Sequence, residues 1–355
     1  MSQLKFTGNN SAFYTDLKER VQRYFEETGT NVHGGNRLLV KAAVLLGSFF
    51  LLYFLLAFDR LPAPWNLLAC IPFAFVTAGI GFNIMHDGSH GSLSSHPVVN
   101  RFAALTLNML GASSFMWNIK HNVIHHTFTN VEDHDDDILN QPFFRMSPSQ
   151  PRRGIHRYQH WYWPLGYGLM YVAWIFFLDV RKYFSKQIAS KEEIRIPLSA
   201  HLGFWLTKVV YTLCFIVVPL QFYTVGEFLL GYFTYTFTTG IVISVIFQLA
   251  HTVEETTFVQ PAAESNTLKN DWASHQVMTT ANFATRNPII TWFVGGLNFQ
   301  VEHHLFPRIS HIHYPALSRI VEDTCNKHGL TYLVQPTLSG AITSHVRFLA
   351  RLARD

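Results

Sequence analysis

Four stretches of this chain are too long and too apolar for a solvated surface, and they restrict its fold more than any other feature. They lie at 38–58 (LLVKAAVLLGSFFLLYFLLAF), 65–85 (WNLLACIPFAFVTAGIGFNIM), 198–219 and 226–250. Each is close to the about 20 residues that a helix needs to cross ~30 Å of hydrocarbon. Only DRLPAP joins the first two and only QFYTVG the last two. Such short connections, with Pro and Gly as breakers, make each pair a helical hairpin. Charged residues make up 14% of the chain, against about 25% in a soluble domain. The expectation is an all-α integral membrane protein with four transmembrane helices.

Basic residues set the orientation. The two connections, 59–64 and 220–225, hold one between them, Arg60. Nearly all other Lys and Arg lie in the N-terminal arm (1–36), the middle segment (86–197) or the C-terminal segment (251–355). The positive-inside rule puts those three in the cytoplasm, with residues 37–355 forming one membrane domain. Two further segments, 98–117 and 161–180, are apolar but carry Asn100, Arg101, Asn108 and Pro164. They are expected as helices in the membrane interface. A six-span reading, with these two as another hairpin, leaves the cytoplasmic segments on the same side.

The arm contains one short helix, YTDLKERVQRYFEETG, ended by Gly29, and VHGGN at 32–36 is a turn into the first span. The N-terminus lacks the apolar core of a signal peptide. A net charge of +4 without Lys/Arg-rich runs gives no reason to expect nucleic acid. Cys70, Cys214 and Cys325 are far apart and form no Cys-x-x-Cys pair, which argues against a disulfide framework or an iron–sulfur cluster.

The chemistry lies in three histidine clusters, HDGSH (86–90), HNVIHH (121–126) and QVEHH (300–304). On an α-helix His86 and His90 share one face, as do His121 and His125. His126 then points about 100° further round, and His303 and His304 diverge likewise. One such pair is ordinary surface sequence. Seven imidazoles beside an apolar slab are hard to keep solvated unless their lone pairs are used. Metal is the natural user, since imidazole suits iron, zinc, copper or nickel. Seven ligands exceed one site, so two metals are expected. A structural zinc would draw on cysteine and a zinc protease on His-Glu-x-x-His; neither pattern is present.

The order His-Asp-x-x-His, His-x-x-x-His-His, Gln-x-x-His-His resembles the membrane fatty-acid desaturases. Gln300 in the third box is the form of front-end desaturases, including linoleoyl-CoA (Δ6-type) enzymes. HHTFTNVEDHDDD, HRYQHWY, GGLNFQVEHHLFP and HIHYPALSRIVEDTCNKHG extend the resemblance from the first span to about residue 335. It implies a cytoplasmic histidine-rich cap with two irons that activate O₂ and leave a cis double bond in a long-chain acyl substrate. It also implies a ligand at the end of the fourth span, where QLAH places His251. The implied ligands are His86, His90, His121, His125, His126, His251, His303 and His304, with Gln300 as a direct or supporting group.

The acids of EDHDDD (132–137) are expected as a solvated loop, one or two of them orienting ligand imidazoles. His156 and His160 are expected as structural or supporting groups. Arg152, Arg153, Arg157, Arg181, Lys182 and Lys186 flank 161–180 and suit lipid phosphates, coenzyme A or an acidic electron carrier. A di-iron lipid hydroxylase and a membrane zinc hydrolase are the competing functions, separable by product mass and by metal content. No electron-carrier module is evident in the sequence, so ferredoxin or cytochrome b5 is the expected electron donor. The acyl group rides on coenzyme A or on a lipid, and the depth of a tunnel between the spans sets the position of the double bond.

Overall fold

The computed structural model of the protein describes residues 4–8, 11–139, 142–189, 192–261 and 267–354. It is helical, apart from short strand pairs such as Lys5–Phe6 with Thr267–Leu268 and Asn282–Phe283 with Val334–Gln335. The chain passes back and forth between two units. One comprises Met1–Gly34, Lys120–Tyr162 and Ile246–Asp355, and the other Gly35–Ile119 and Trp163–Val245.

Five helices among the described residues are long and apolar enough to cross a membrane: Gly35–Ala57, Trp65–His90, Gly154–Ser185, Leu198–Gln221 and Val225–His251. Four coincide with the four apolar runs. The fifth contains 161–180 and carries Pro164 inside the helix, at the cost of one backbone hydrogen bond. Segment 98–117 is not one helix. It breaks into Pro97–Ala104, Thr106–Met109 and Ser114–Trp117, with Gly111 at φ 90° between the last two. The expected interfacial helix is thus three short pieces, because Asn108 donates to Thr207 and Ser113 caps the last piece instead of continuing the helix.

Within the unit of Gly35–Ile119 and Trp163–Val245 the helices present large apolar side chains outward, among them Val40, Phe50, Leu202 and Phe233. A soluble bundle would bury this surface, whereas lipid solvates it. The Trp65–His90 helix is the most enclosed of the five. Its last turn packs so closely on Pro97–Ala104 that a Cβ on Gly88 would lie 2.5 Å from that of Ala103. Glycine in the first box therefore permits this contact. Gly240 has the same role in Val225–His251, where a Cβ would meet the Gly168 carbonyl at 2.3 Å, a small-residue crossing suited to lipid.

The other unit has a conventional apolar core. Ser11 caps the helix Ala12–Thr28, and Gly29 ends it in the left-handed conformation. Phe13, Leu17 and Val21 pack with Leu317, Val321 and Cys325 of the helix Tyr314–Lys327. Asp16 accepts from Lys327 at 2.8 Å, across the same contact. The C-terminal helix Leu338–Arg354 buries Ala341, His345, Phe348, Leu349 and Leu352 at helical spacing.

Candidate metal centre

The second box does not form the α-helix that its spacing suggests. Residues Asn118–His125 are a π-helix, and His126 begins a further α-turn. The wider π turn takes nearly one more residue per revolution. His126 therefore swings back towards His121, and their Nε2 atoms lie 3.3 Å apart. Two nitrogens bound to one ion at about 2.1 Å are separated by about 3.0–3.4 Å, so this spacing suits a shared metal. The Trp65–His90 helix also has a π turn, Gly81–Met85, immediately before His86.

Within one unit, His121, His125, His126, His251, His303 and His304 converge, each no more than 6% exposed. The candidate ligand nitrogens of His125, His251 and His304 all lie within 4.8 Å of one another. The His126 ring lies 4.6 Å from that of His303 and 4.4 Å from that of His304, and the His121 and His303 rings stack at 6.2 Å. In the other unit, His86 and His90 end the Trp65–His90 helix with their rings 4.7 Å apart and Trp117 beside them.

Neighbouring acceptors fix which ring nitrogen is free to bind metal. His125 Nδ1 lies 3.0 Å from Asp135 Oδ2 and 3.3 Å from Asp137 Oδ2. Burial pulls the His125 imidazole down, but the two carboxylates outweigh it and hold the pKa above its ordinary value. Nδ1 thus carries the proton, and Nε2 is a buried atom without a hydrogen-bond partner. His304 Nδ1 donates to Gln276 Oε1 at 2.8 Å, and that oxygen also accepts from Thr129 Oγ1 at 2.9 Å. His303 Nδ1 faces the Tyr314 hydroxyl at 3.3 Å, and His251 Nδ1 the Thr279 carbonyl at 3.4 Å. Histidine ligands of metals are regularly held by such acceptors. The donor set fits metal ions bound through imidazole Nε2.

Gln300 is 1% exposed, with Nε2 3.2 Å from His251 Nε2 and a buried Oε1 without a partner. Its amide therefore lies beside His251. The helix Gln300–Leu305 is fixed by Glu302, which accepts from Tyr332 at 2.7 Å and Asn282 at 2.8 Å. Burial pushes the Glu302 carboxyl up to about 7, partly offset by those two donors.

The acidic run is more than a solvated loop: Asp135 is wholly buried against His125, while Lys120 pairs with Asp137 at 2.6 Å. His156 is held by the Pro142 carbonyl at 2.8 Å and by the Arg153 N–H at 3.1 Å, a structural arrangement. Gln276 and Tyr314 were not singled out from sequence, and no local motif marks them. They reach the site only because Trp272–Thr279 and Tyr314–Lys327 pack beside the third box.

Residues 62–336 match the fatty acid desaturase family. The chain belongs to that family. It is 37% identical over 359 residues to the sn-1 linoleoyl-lipid 6-desaturase of Synechocystis, covering 99% of this chain and 98% of that protein. The enzyme of the same name from Arthrospira platensis is 35% identical, covering 98% and 94%. The acyl-lipid (8-3)-desaturase of Physcomitrium patens is 35% identical over 97% of this chain and 72% of its own. The protein is a fatty-acyl desaturase, an oxidoreductase. The competing hydroxylase and zinc hydrolase readings have no counterpart among these relatives.

Proposed function

We propose that this desaturase introduces a cis double bond near the carboxyl end of an acyl chain carried on a membrane lipid. The observation that carries this is near-full-length similarity to two enzymes named sn-1 linoleoyl-lipid 6-desaturases. Two irons are proposed, held by His86, His90, His121, His125, His126, His251, His303 and His304. Gln300 contributes its amide oxygen directly or supports His251. Bound there, iron supplies O₂ activation: two hydrogens leave adjacent methylenes, and two electrons and two further protons complete the reduction of O₂ to water.

The chain's own residues prepare that chemistry. Asp135 and Gln276 hold protons on the Nδ1 atoms of His125 and His304, which keeps both Nε2 lone pairs directed inward. Near-complete burial of seven of these imidazoles, all but the half-buried His90, excludes bulk water from reacting groups. A separate reduced carrier, ferredoxin or cytochrome b5, delivers the electrons.

Four full crossings are proposed, with the site on the cytoplasmic side. The meeting of His125, His251 and His304 requires an even number of crossings between positions 125 and 251. Three long apolar helices lie in that interval, so one of them stays on a single side. Gly154–Ser185 has the features of that helix: Arg157 near one end and Arg181 and Lys182 near the other. Basic residues at both ends favour the cytoplasmic interface twice.

The decisive experiment is expression in a host without polyunsaturated lipids, with linoleate supplied. A new double bond at carbon six of lipid-esterified chains, located by mass spectrometry, is the expected product. Desaturation confined to the acyl-CoA pool would overturn the lipid assignment.

A further inference from the structure

The unit of Gly35–Ile119 and Trp163–Val245 contains a cavity of about 460 Å³. It lies where the Gly35–Ala57, Trp65–His90, Leu198–Gln221 and Val225–His251 helices approach their short connections. Its lining includes Leu56, Cys70, Phe73 and Gly231, with Asp59, Asn66 and Glu227 as polar members. Cys70 precedes His86 by sixteen residues, or about 24 Å of helix. The Tyr235 ring lies 4.8 Å from that of Phe73 and 6.1 Å from that of Phe215, and its hydroxyl meets Thr77 at 3.3 Å. Phe73, Phe215 and Tyr235, all buried, are part of the cavity's wall.

The polar chemistry of the cavity is one-sided. Tyr53 donates its O–H to the Cys214 carbonyl and Tyr223 to the Leu56 carbonyl. The Asn66 amide N–H groups go to Asp59 and the Leu61 carbonyl. Acceptor capacity remains on Asn66 Oδ1, a buried atom with no hydrogen-bond partner, and on two exposed carboxylates, Asp59, which already accepts from Asn66, and Glu227, which already accepts from the Thr224 N–H and hydroxyl. Among the described residues the lining contains no Lys, Arg or His. A buried acceptor left unpaired is costly, so the site favours a ligand that donates hydrogen bonds. Two carboxylates at an apolar site disfavour a ligand bearing phosphate or carboxylate. The volume falls within the range of small-molecule pockets, and most of the lining is hydrocarbon or aromatic.

We propose that this cavity binds one uncharged, hydroxyl-bearing acyl lipid, distinct from the chain being desaturated. The hydroxyls donate to Asp59, Asn66 and Glu227, and the upper acyl chain lies against Leu56, Cys70 and Phe73. This goes beyond the proposed reaction and does not depend on which metal the histidines hold.

The test uses the full chain in phosphatidylcholine nanodiscs, equilibrated with equimolar diacylglycerol, monoglycosyl diacylglycerol and phosphatidic acid of matched acyl chains. Native mass spectrometry then counts the lipid retained per chain. One uncharged lipid should be retained, at least tenfold over phosphatidic acid; the ratio of the two uncharged lipids tells glycerol from sugar hydroxyls. Gly231 has open space ahead of it, since a Cβ there would meet only Cys70 Sγ, at 3.7 Å. Gly231→Leu should therefore fill the cavity and abolish retention, with circular dichroism and cellular desaturation unchanged. Glu227→Lys, at an exposed position, should shift the preference towards phosphatidic acid. Equal retention of phosphatidic acid by the wild type, no retained lipid, or retention undiminished in Gly231→Leu with the Glu227→Lys preference unmoved overturns the proposal.

Discussion

At the scale of single residues, the site depends on acceptors that contact imidazoles and not on the imidazoles alone. Gln276 is the clearest case, because an amide oxygen bonded to both His304 and Thr129 leaves His304 one workable tautomer. Gln276→Leu should weaken metal binding by about 10–100-fold, whereas Gln276→Glu, which keeps the acceptor, should retain it. Iron per chain after dialysis against a graded chelator measures this, and equal iron in both variants would refute the role. Gln300 provides a second comparison. Gln300→His should keep more iron and activity than Gln300→Ala, because an imidazole there can bind metal or hydrogen-bond to His251. Full activity and iron in the Ala variant would remove Gln300 from the site.

At the scale of elements, local helix geometry matters as much as sequence spacing. On an α-helix His126 would diverge from His121; the π turn over Asn118–His125 brings their Nε2 atoms to 3.3 Å. The Gly154–Ser185 helix raises the corresponding question for topology. Trp161 and Phe184, near its two ends, are 76% and 67% exposed. Cysteines placed at both should be shielded from an impermeant reagent on intact cells and become reactive in permeabilised ones. A cysteine at Pro64 should react from outside, while one at Ser265, which lies outside the described residues, should not. Opposite sidedness for positions 161 and 184 would make that helix a full crossing and exclude the four-span arrangement.

At the scale of the whole molecule, acid should loosen the fold before it reaches most carboxylates. Burial lowers His275 and His345 to about 4. Both stay neutral in the folded protein while the unfolded chain takes up protons below about 6.5. Their contribution is complete above pH 6.5 and is lost as pH falls towards 4. Glu302, raised to about 7 by burial, acts oppositely: it favours the fold at low pH and loses that contribution as pH rises from about 4.5 to 7. Two histidines against one carboxyl leave a net loss of about 2 kcal/mol between pH 7 and 4.5. The thermal midpoint of the detergent-solubilised protein should fall by several degrees over that range. Replacing both histidines with Gln leaves the opposing Glu302 contribution and should reverse the slope, and an unchanged slope would refute the assignment.

Much of this molecule is legible in one dimension because lipid imposes a one-dimensional rule: a helix must be about 20 apolar residues long to cross. The four apolar runs satisfy that rule, and the three boxes announce imidazole chemistry by composition alone. The chain could not announce relations that depend on approach between distant segments. Gln276 meeting His304 and Tyr314 meeting His303 join residues up to 28 positions apart. The π turn was hidden for another reason, since four-residue spacing is compatible with both helix types. Pro164 lies inside the fifth long helix, so the usual reading of proline as a breaker marks no helix end there. Sequence thus determined which groups are present and that they lie against a membrane. Tertiary packing decided which imidazole nitrogen is free to bind, because that depends on the neighbour across the fold and not on the neighbour along the chain.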